Sequence, residues 1–321
     1  MNTAVLFIIF NRPETTKQVF AAIREARPKR LYVSADGPRD HKLGEARRCE
    51  EARNIATAVD WDCEVQTLFR DKNFGCGKAV SSGINWFFEN ETEGIILEDD
   101  CLPSQSFFRF TSELLERYRH DTRIMGIGAN NFEKPHTREQ EYSYSFSTLA
   151  YIWGWATWKR AWKSIDLKLQ NYNELRQKDY LNQSYNTLYK RHFFNYIFGE
   201  LAKEGGKINR DSIWGYQWQF TCLVNSGLTI VPNRSLVANI GMGEGATRTT
   251  DAKGLGHDLK REELNFPLKH PEFVMVEKER DNRTFNLMHT SPKSRLKSNI
   301  KSMIPKPMME NLVKPLMYLF F

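Results

Sequence analysis

Three consecutive carboxylates, Glu98, Asp99 and Asp100, close a short run in which Gly94 is followed by Ile95, Ile96 and Leu97. Apolar β-branched residues in such a run suit a buried strand. Burying the acids with it would cost several kcal/mol each unless a cation met them. They are therefore expected where the strand stops, at the carboxyl edge of a sheet, where open α/β folds bind ligands. Hard oxygen ligands at one point suit Mg²⁺ or Mn²⁺, which takes one or two carboxylates and completes its shell with substrate phosphates. The plainer alternative is a strand followed by a solvated acidic turn, so the chemistry depends on what stands around the triplet.

The elements that must position these acids begin at the N-terminus. Residues 4–10 are apolar and read as a buried strand. Asn11 is a plausible helix N-cap, with Pro13 in the first turn and Glu14 at the capping carboxylate position. Val19, Phe20 and Ile23 then form a helical face. Residues 31–33 make a second strand that ends in Ser34-Ala35-Asp36-Gly37-Pro38, and residues 65–69 make a third. After Asn73-Phe74-Gly75-Cys76-Gly77-Lys78 comes a helical stretch with Val80, Ile84, Phe87 and Phe88 on one side. Strands alternating with helices at this spacing predict βαβ units and a mostly parallel sheet. Asn11 with Arg12, Asp36, and the acidic triplet all follow strands, so they can share one edge.

The second half is less regular. A helix over 105–119 carries Phe107, Phe108, Leu114, Leu115 and Tyr118, and 124–127 read as a strand. Residues 133–141 look like a polar loop. Residues 149–162 hold four of the eight tryptophans, open to two readings: packing within a large helix, or a platform for sugar stacking. Gly154, between Trp153 and Trp155, suggests a backbone that comes close to something. Residues 166–204 read as polar, aromatic and helical. The stretch 211–220 leads into a strand at 228–231 closed by Pro232, and 241–248 form a glycine loop without a Walker lysine.

At 321 residues the chain can bury a full core, and 13% aromatic with 26% charged residues describe an ordered globular protein. Five cysteines without a Cys-x-x-Cys pair argue for a reducing compartment and against a zinc site or a disulfide framework. The seven apolar residues at 4–10 have no basic flank before them and no cleavage site after them, so they read as no signal peptide. They are also too few to span a bilayer. The net charge of +7 is concentrated in 291–321, where Lys293, Arg295, Lys297, Lys301, Lys306 and Lys314 face Glu310 alone. That distribution, with no recognised reader motif, argues against nucleic acid as a partner. With Leu296, Ile300, Met303 and Ile304 at helical spacing, the tail suits an anionic membrane surface or a helix docked on the core.

In order, strand–Asn-Arg-Pro, strand–Ser-Ala-Asp-Gly, Asn-Phe-Gly-x-Gly-Lys, strand–Glu-Asp-Asp, Trp-Gly-Trp and Trp-x-Tyr-Gln-Trp resemble nucleotide-sugar glycosyltransferases of the GT-A fold. More closely, they are similar to bacterial HlpA-like, or hemolytic-protein-like, glycosyltransferases. These share their pattern with the animal N-acetylglucosaminyltransferase that begins complex N-glycans. The resemblance covers about residues 4–250. It implies that Arg12 lies near the pyrophosphate, Asp36 accepts from a uracil-type base, Glu98 faces the donor sugar, Asp99 the ribose and Asp100 the metal. Lys78 would add charge at the diphosphate, with a plain surface lysine as the alternative.

Two departures from the pattern concern the base. The block at 214–218 usually reads Trp-Asp-Tyr-Gln-Trp, whereas Gly215 stands here and cannot take a proton. The glycine loop often ends Glu-Asp-Ala-Thr-His-Thr, whereas Gly245 and Arg248 stand here. Asp211 and Glu244 are the candidate replacements, and Arg248 could serve the diphosphate electrostatically. The expectation is an α/β GT-A domain, with residues 1–103 binding the nucleotide-sugar, 104–290 the acceptor, and 291–321 a basic amphipathic tail. It would be an inverting enzyme using a UDP-sugar and Mn²⁺ or Mg²⁺ on a glycan or glycolipid acceptor. Trp153, Trp155 and Trp214 would line the acceptor site, and the protein would be cytoplasmic, peripheral at the inner membrane face. The competing expectations are a sugar-phosphate nucleotidyltransferase, which would want glycines that residues 8–17 lack, and a binding relic that has lost its base.

Overall fold

The structure, a computed structural model, describes residues 1–133, 141–241 and 259–289. Its strands are β1 (Val5–Ile9), β2 (Arg30–Ala35), β3 (Glu64–Phe69), β4 (Glu93–Glu98), β5 (Cys101–Pro103), β6 (Ile124–Gly128), β7 (Tyr144–Ser147), β8 (Trp155–Trp158), β9 (Leu228–Pro232) and β10 (Val237–Asn239). The helices are α1 (Pro13–Ala26), α2 (Glu45–Ala56), α3 (Cys76–Asn90), α4 (Gln105–Arg117), α5 (Lys159–Trp162), α6 (Tyr172–Gln177), α7 (Tyr180–Ser184), α8 (Leu188–Ala202), α9 (Gly215–Val224) and α10 (Lys278–His289). Eight strands form one sheet in the order β3-β2-β1-β4-β8-β6-β9-β7. The first four are mutually parallel, as the βαβ spacing predicts. β8 runs antiparallel to both β4 and β6, so β6 points the same way as β4. The carboxyl ends of β1, β2, β3, β4 and β6 therefore lie along one edge.

The α/β expectation holds, and its physical basis is visible strand by strand. β1 is buried at all five positions, as a central parallel strand covered on both faces must be. One face carries α1, α2 and α4, with Val19, Phe20, Ile23, Leu114 and Leu115 against the sheet. The other carries α3 and α9, with Val80, Ile84, Phe87 and Trp218. A third apolar cluster joins α8, α9 and α10 through Phe194, Phe198, Phe220 and Phe285. β5 and β10 form a separate antiparallel pair that brings residues 237–241 back over the end of β4.

Two local expectations change. Arg12, not Asn11, is the N-cap of α1, and it makes no side-chain cap. The Asn11 amide is drawn away to Glu45 Oε1 at 2.8 Å, because a buried carboxylate is the stronger acceptor. Residues 149–162 do not form a large helix. They form β8 and the single turn α5, since β8 must pair with both β4 and β6. Gly154 turns the chain into that strand at φ +65°, where a Cβ would meet the Val237 side chain at 2.8 Å. This is the close approach that its neighbours suggested.

Candidate active site

The acids arrive where their strand demands. Glu98 is the last residue of β4, and Asp99 and Asp100 occupy the turn into β5. Asp99 is buried and accepts from Phe10 N at 2.9 Å, which ties β4 to the end of β1. Arg12 Nη1 lies 2.9 Å from Asp100 Oδ2 and 3.8 Å from Asp99 Oδ1. Burial, then the neighbouring Asp100, raises the Asp99 pKa, while Arg12 and Phe10 N hold it down. Burial would also lower the Arg12 guanidinium, but Asp99 and Asp100 outweigh it and raise its pKa. A cation is thus built in to offset the desolvation of the acids.

These groups line a cavity of about 480 Å³, a size suited to a small-molecule ligand. The sheet edge gives it a polar wall with Arg12, Asp36, Arg70, Glu98, Asp99, Asp100 and Asn130. The rest of the lining is largely aromatic, with Phe132, Tyr151, Trp153, Phe194, Trp214, Tyr216 and His289. Gly241 closes over the acids. A Cβ there would meet Asp100 Oδ2 at 2.4 Å and Arg12 Nη1 at 2.7 Å, so only glycine lets the backbone come this near.

Asp36 is in the polar wall, but its carboxylate already organises the loop before α3. Its oxygens accept from Gly37 N at 2.9 Å, Phe74 N at 2.9 Å, Gly75 N at 3.1 Å and Asn73 Nδ2 at 3.0 Å. Arg70, which follows β3 directly, is a residue that motif reading missed. It is 9% exposed and donates to Ser34 Oγ at 3.2 Å and Ser82 Oγ at 2.7 Å. Burial lowers its pKa, and the nearby Asp36 charge only partly opposes this. Arg39, by contrast, is locked on Glu45. Arg70 occupies the same post-strand position as Asp36, which is the signal that could have found it.

Other expected residues fall elsewhere. Lys78 is exposed, outside the cavity wall, with its ammonium 4.9 Å from the Phe74 ring centre. Asp211 is also exposed and outside the wall. Its backbone packs against Gly77, where a Cβ would meet Asp211 O at 2.7 Å. Trp153 and Trp214 do line the cavity, but Trp155 lies beneath it, 1% exposed and stacked on Trp214 at 5.7 Å. With Trp162 and Trp218 it forms a buried cluster, so Trp155 is core and cannot meet a sugar. Glu244 and Arg248 lie outside the described residues. His289, unsuspected from sequence, stands in the aromatic wall with its ring centre 4.5 Å from that of Phe193. Burial, with Lys190 adding, lowers its pKa to about 4, so the imidazole is neutral at neutral pH. No local pattern marks a lone histidine more than 180 residues from the acids.

Carboxylate oxygens are the donor type a hard dication takes, and two carboxylates meet here beside Arg12. Asp100 and Asp99 offer carboxylates at the cavity edge, and among the described residues no group of three His, Cys, Asp or Glu could hold a metal alone. Phosphate oxygens would complete such a shell.

No protein-family model and no curated protein matches the sequence. Among solved structures, the chain is similar to S. aureus TarS 1-349, with 12% identity and a TM-score of 0.39 over 74% of this chain and 59% of that one. A second structure of S. aureus TarS gives 11% and 0.37, over 74% of this chain and 36% of that one. An apo UDP-glucose pyrophosphorylase gives 11% and 0.33, over 72% and 90%. This chain thus spans about six-tenths or less of the two TarS chains. These are likenesses of chain path, and the functional reading rests on the cavity.

Proposed function

We propose that the chain is a GT-A glycosyltransferase that takes a UDP-sugar and transfers its sugar, with inversion, to a glycan or glycolipid acceptor of the bacterial cell surface. The observation that carries this is the order of groups along one sheet edge. Asp36 and Arg70 stand at the ends of β2 and β3, and Arg12 with the acids at the ends of β1 and β4. From β3 to β4 is three strand intervals, about 14 Å, comparable with the reach of a nucleoside diphosphate from base to phosphate. The Arg70 guanidinium, which donates to the hydroxyls of Ser34 and Ser82, would offer further donors to the carbonyl oxygens of a uracil. Asp36 holds the loop against which the base would lie. Arg12 would turn part of its charge from the acids to the diphosphate when that anion enters.

Asp100, seconded by Asp99, would hold Mn²⁺ or Mg²⁺. Such an ion, when bound, neutralises charge growing on the departing diphosphate. Trp153 and Trp214 present aromatic surface to the acceptor. Glu244, which lies outside the described residues, is proposed as the base, because the other sequence candidate, Asp211, stands outside the cavity wall.

The test is UDP release from UDP-sugars in the presence of glycan acceptors, alongside UDP binding with and without Mn²⁺. Metal-dependent UDP binding that is lost in Asp100→Ala, with turnover in the wild type, is expected. Binding without turnover over a broad acceptor panel would favour the relic. Release of diphosphate from UTP and a sugar phosphate would favour a nucleotidyltransferase.

A further inference from the structure

Asn130 lies two residues beyond β6, 1% exposed, in the wall of the cavity. Its amide nitrogen donates to Val237 O at 2.9 Å. A backbone carbonyl can only accept, so this bond settles which end of the amide is which. The other end, Oδ1, is left as a buried acceptor with no partner among the described residues. A buried amide oxygen without a hydrogen bond is costly, and native proteins keep few of them without a reason.

Its place on the sheet edge says what the reason is. β6 points the same way as β4 and stands two strand intervals from it, about 10 Å, with β8 between. Asp36 and Arg70 are on the opposite side of the acids, at β2 and β3. If the nucleotide occupies that side and its diphosphate the centre, whatever follows the diphosphate lies towards Asn130. Trp153 and Phe132, packed edge to face at 5.4 Å, stand in the same cavity wall. An apolar ring and one buried acceptor lining the same cavity are the chemistry of a site for a hexose ring with one hydrogen-bond donor to be read.

We propose that Asn130 Oδ1 accepts a hydrogen bond from a hydroxyl or amide N–H of the transferred sugar, making Asn130 a determinant of donor specificity. This inference rests on the nucleotide-sugar reading above. A site that gains a partner for an otherwise unmet acceptor favours sugars that supply it and rejects those that do not.

Calorimetric titration of full-length protein with UDP, UDP-glucose and UDP-N-acetylglucosamine, at fixed Mn²⁺, tests it. Wild type should bind at least one UDP-sugar more tightly than UDP. Asn130→Ala should weaken that UDP-sugar about tenfold, the worth of a typical hydrogen bond, and leave UDP unchanged. A merely structural asparagine would weaken UDP and the UDP-sugar alike, and that result, or no weakening, overturns the proposal. A second arm needs no variant. Monodeoxy analogues of the preferred UDP-sugar should single out one position whose removal costs wild type about tenfold. Equal binding of every analogue counts against Asn130. UDP binding by wild type with no preference for any UDP-sugar refutes the sugar contact but leaves the nucleotide reading standing. Failure to bind UDP at all refutes both.

Discussion

Asp36 shows how one carboxylate can organise the loop that lines a cavity. Four N–H groups, from Gly37, Asn73, Phe74 and Gly75, converge on it. They fix the loop that starts α3 and forms one end of the cavity. Asp36→Ala would leave these donors without their acceptor, so it should cost about 2–4 kcal/mol of stability as well as UDP affinity. Urea denaturation and UDP titration check both. An Asp36 that only met the base would show a loss of affinity at unchanged stability. The same accounting applies to Asn130, whose buried Oδ1 has no partner among the described residues. A protein interior tolerates such groups where a ligand completes them.

Among the elements, α10 and α2 hold the site's two flanks. α10 is pinned to the turn after β7 by Asp281, which accepts from Ser147 Oγ at 2.5 Å, Thr148 N at 2.8 Å and Thr148 Oγ1 at 2.6 Å. Its C-terminal end then places Met288 and His289 in the cavity wall. Asp281→Ala should destabilise the fold by about 3–5 kcal/mol, since it orphans buried donors and the nearby Lys190 charge. Chemical denaturation reads this directly, and a loss under 1 kcal/mol would show α10 to be loosely held. At the start of α2, Glu45 is gripped by Arg39 and by Asn11. Hydrogen bonds from Arg39 lower its pKa to about 2 against burial. A depressed carboxylate stabilises the fold above its ordinary value near 4.5, and the contribution is lost as pH falls towards 2. Glu45→Gln should therefore flatten the acid limb of stability between those values. Thermal melts from pH 6 to pH 2 would show it, and an unchanged slope would assign the acid sensitivity to other groups.

For the whole molecule, the proposed nucleotide-binding half and acceptor half would share one sheet. β4 and β8 pair across the proposed boundary, and β5 pairs with β10. Residues 291–321 lie outside the described residues, while α10 ends at His289 and packs against α8 through Phe193 and Phe285. Deleting 291–321 should leave the melting temperature within about 2 °C of full length and abolish binding to anionic vesicles at low salt. Each basic residue near such a surface is worth about 1 kcal/mol, so attachment of the full chain should weaken as salt rises. A truncation that unfolds would make the tail part of the core. Among the described residues no helix is long and apolar enough to cross a membrane.

What could be read from the chain alone was whatever depends on local pattern. Alternating strands and helices, buried β1, and an acidic triplet ending β4 follow from hydrophobic runs whose ends must be polar. Even the sharing of one edge by Arg12, Asp36 and the acids follows, because parallel strands linked by helices align their carboxyl ends. Tertiary structure decided everything that depends on which residues compete for the same partner. Asp36 was captured by its own loop and Asn11 by Glu45, because backbone N–H groups and buried carboxylates 34 to 39 positions apart became neighbours. Trp155 went into the core while Trp153, two residues away, reached the cavity, because Trp153 precedes β8 and Gly154 at φ +65° bends the chain between them, breaking the register that would otherwise put both on one face. Asn130 and His289 carry no motif. They line the cavity because β6 and α10 end at it, and only the paired sheet and the packed helix bring those ends to the cavity that the acids also line.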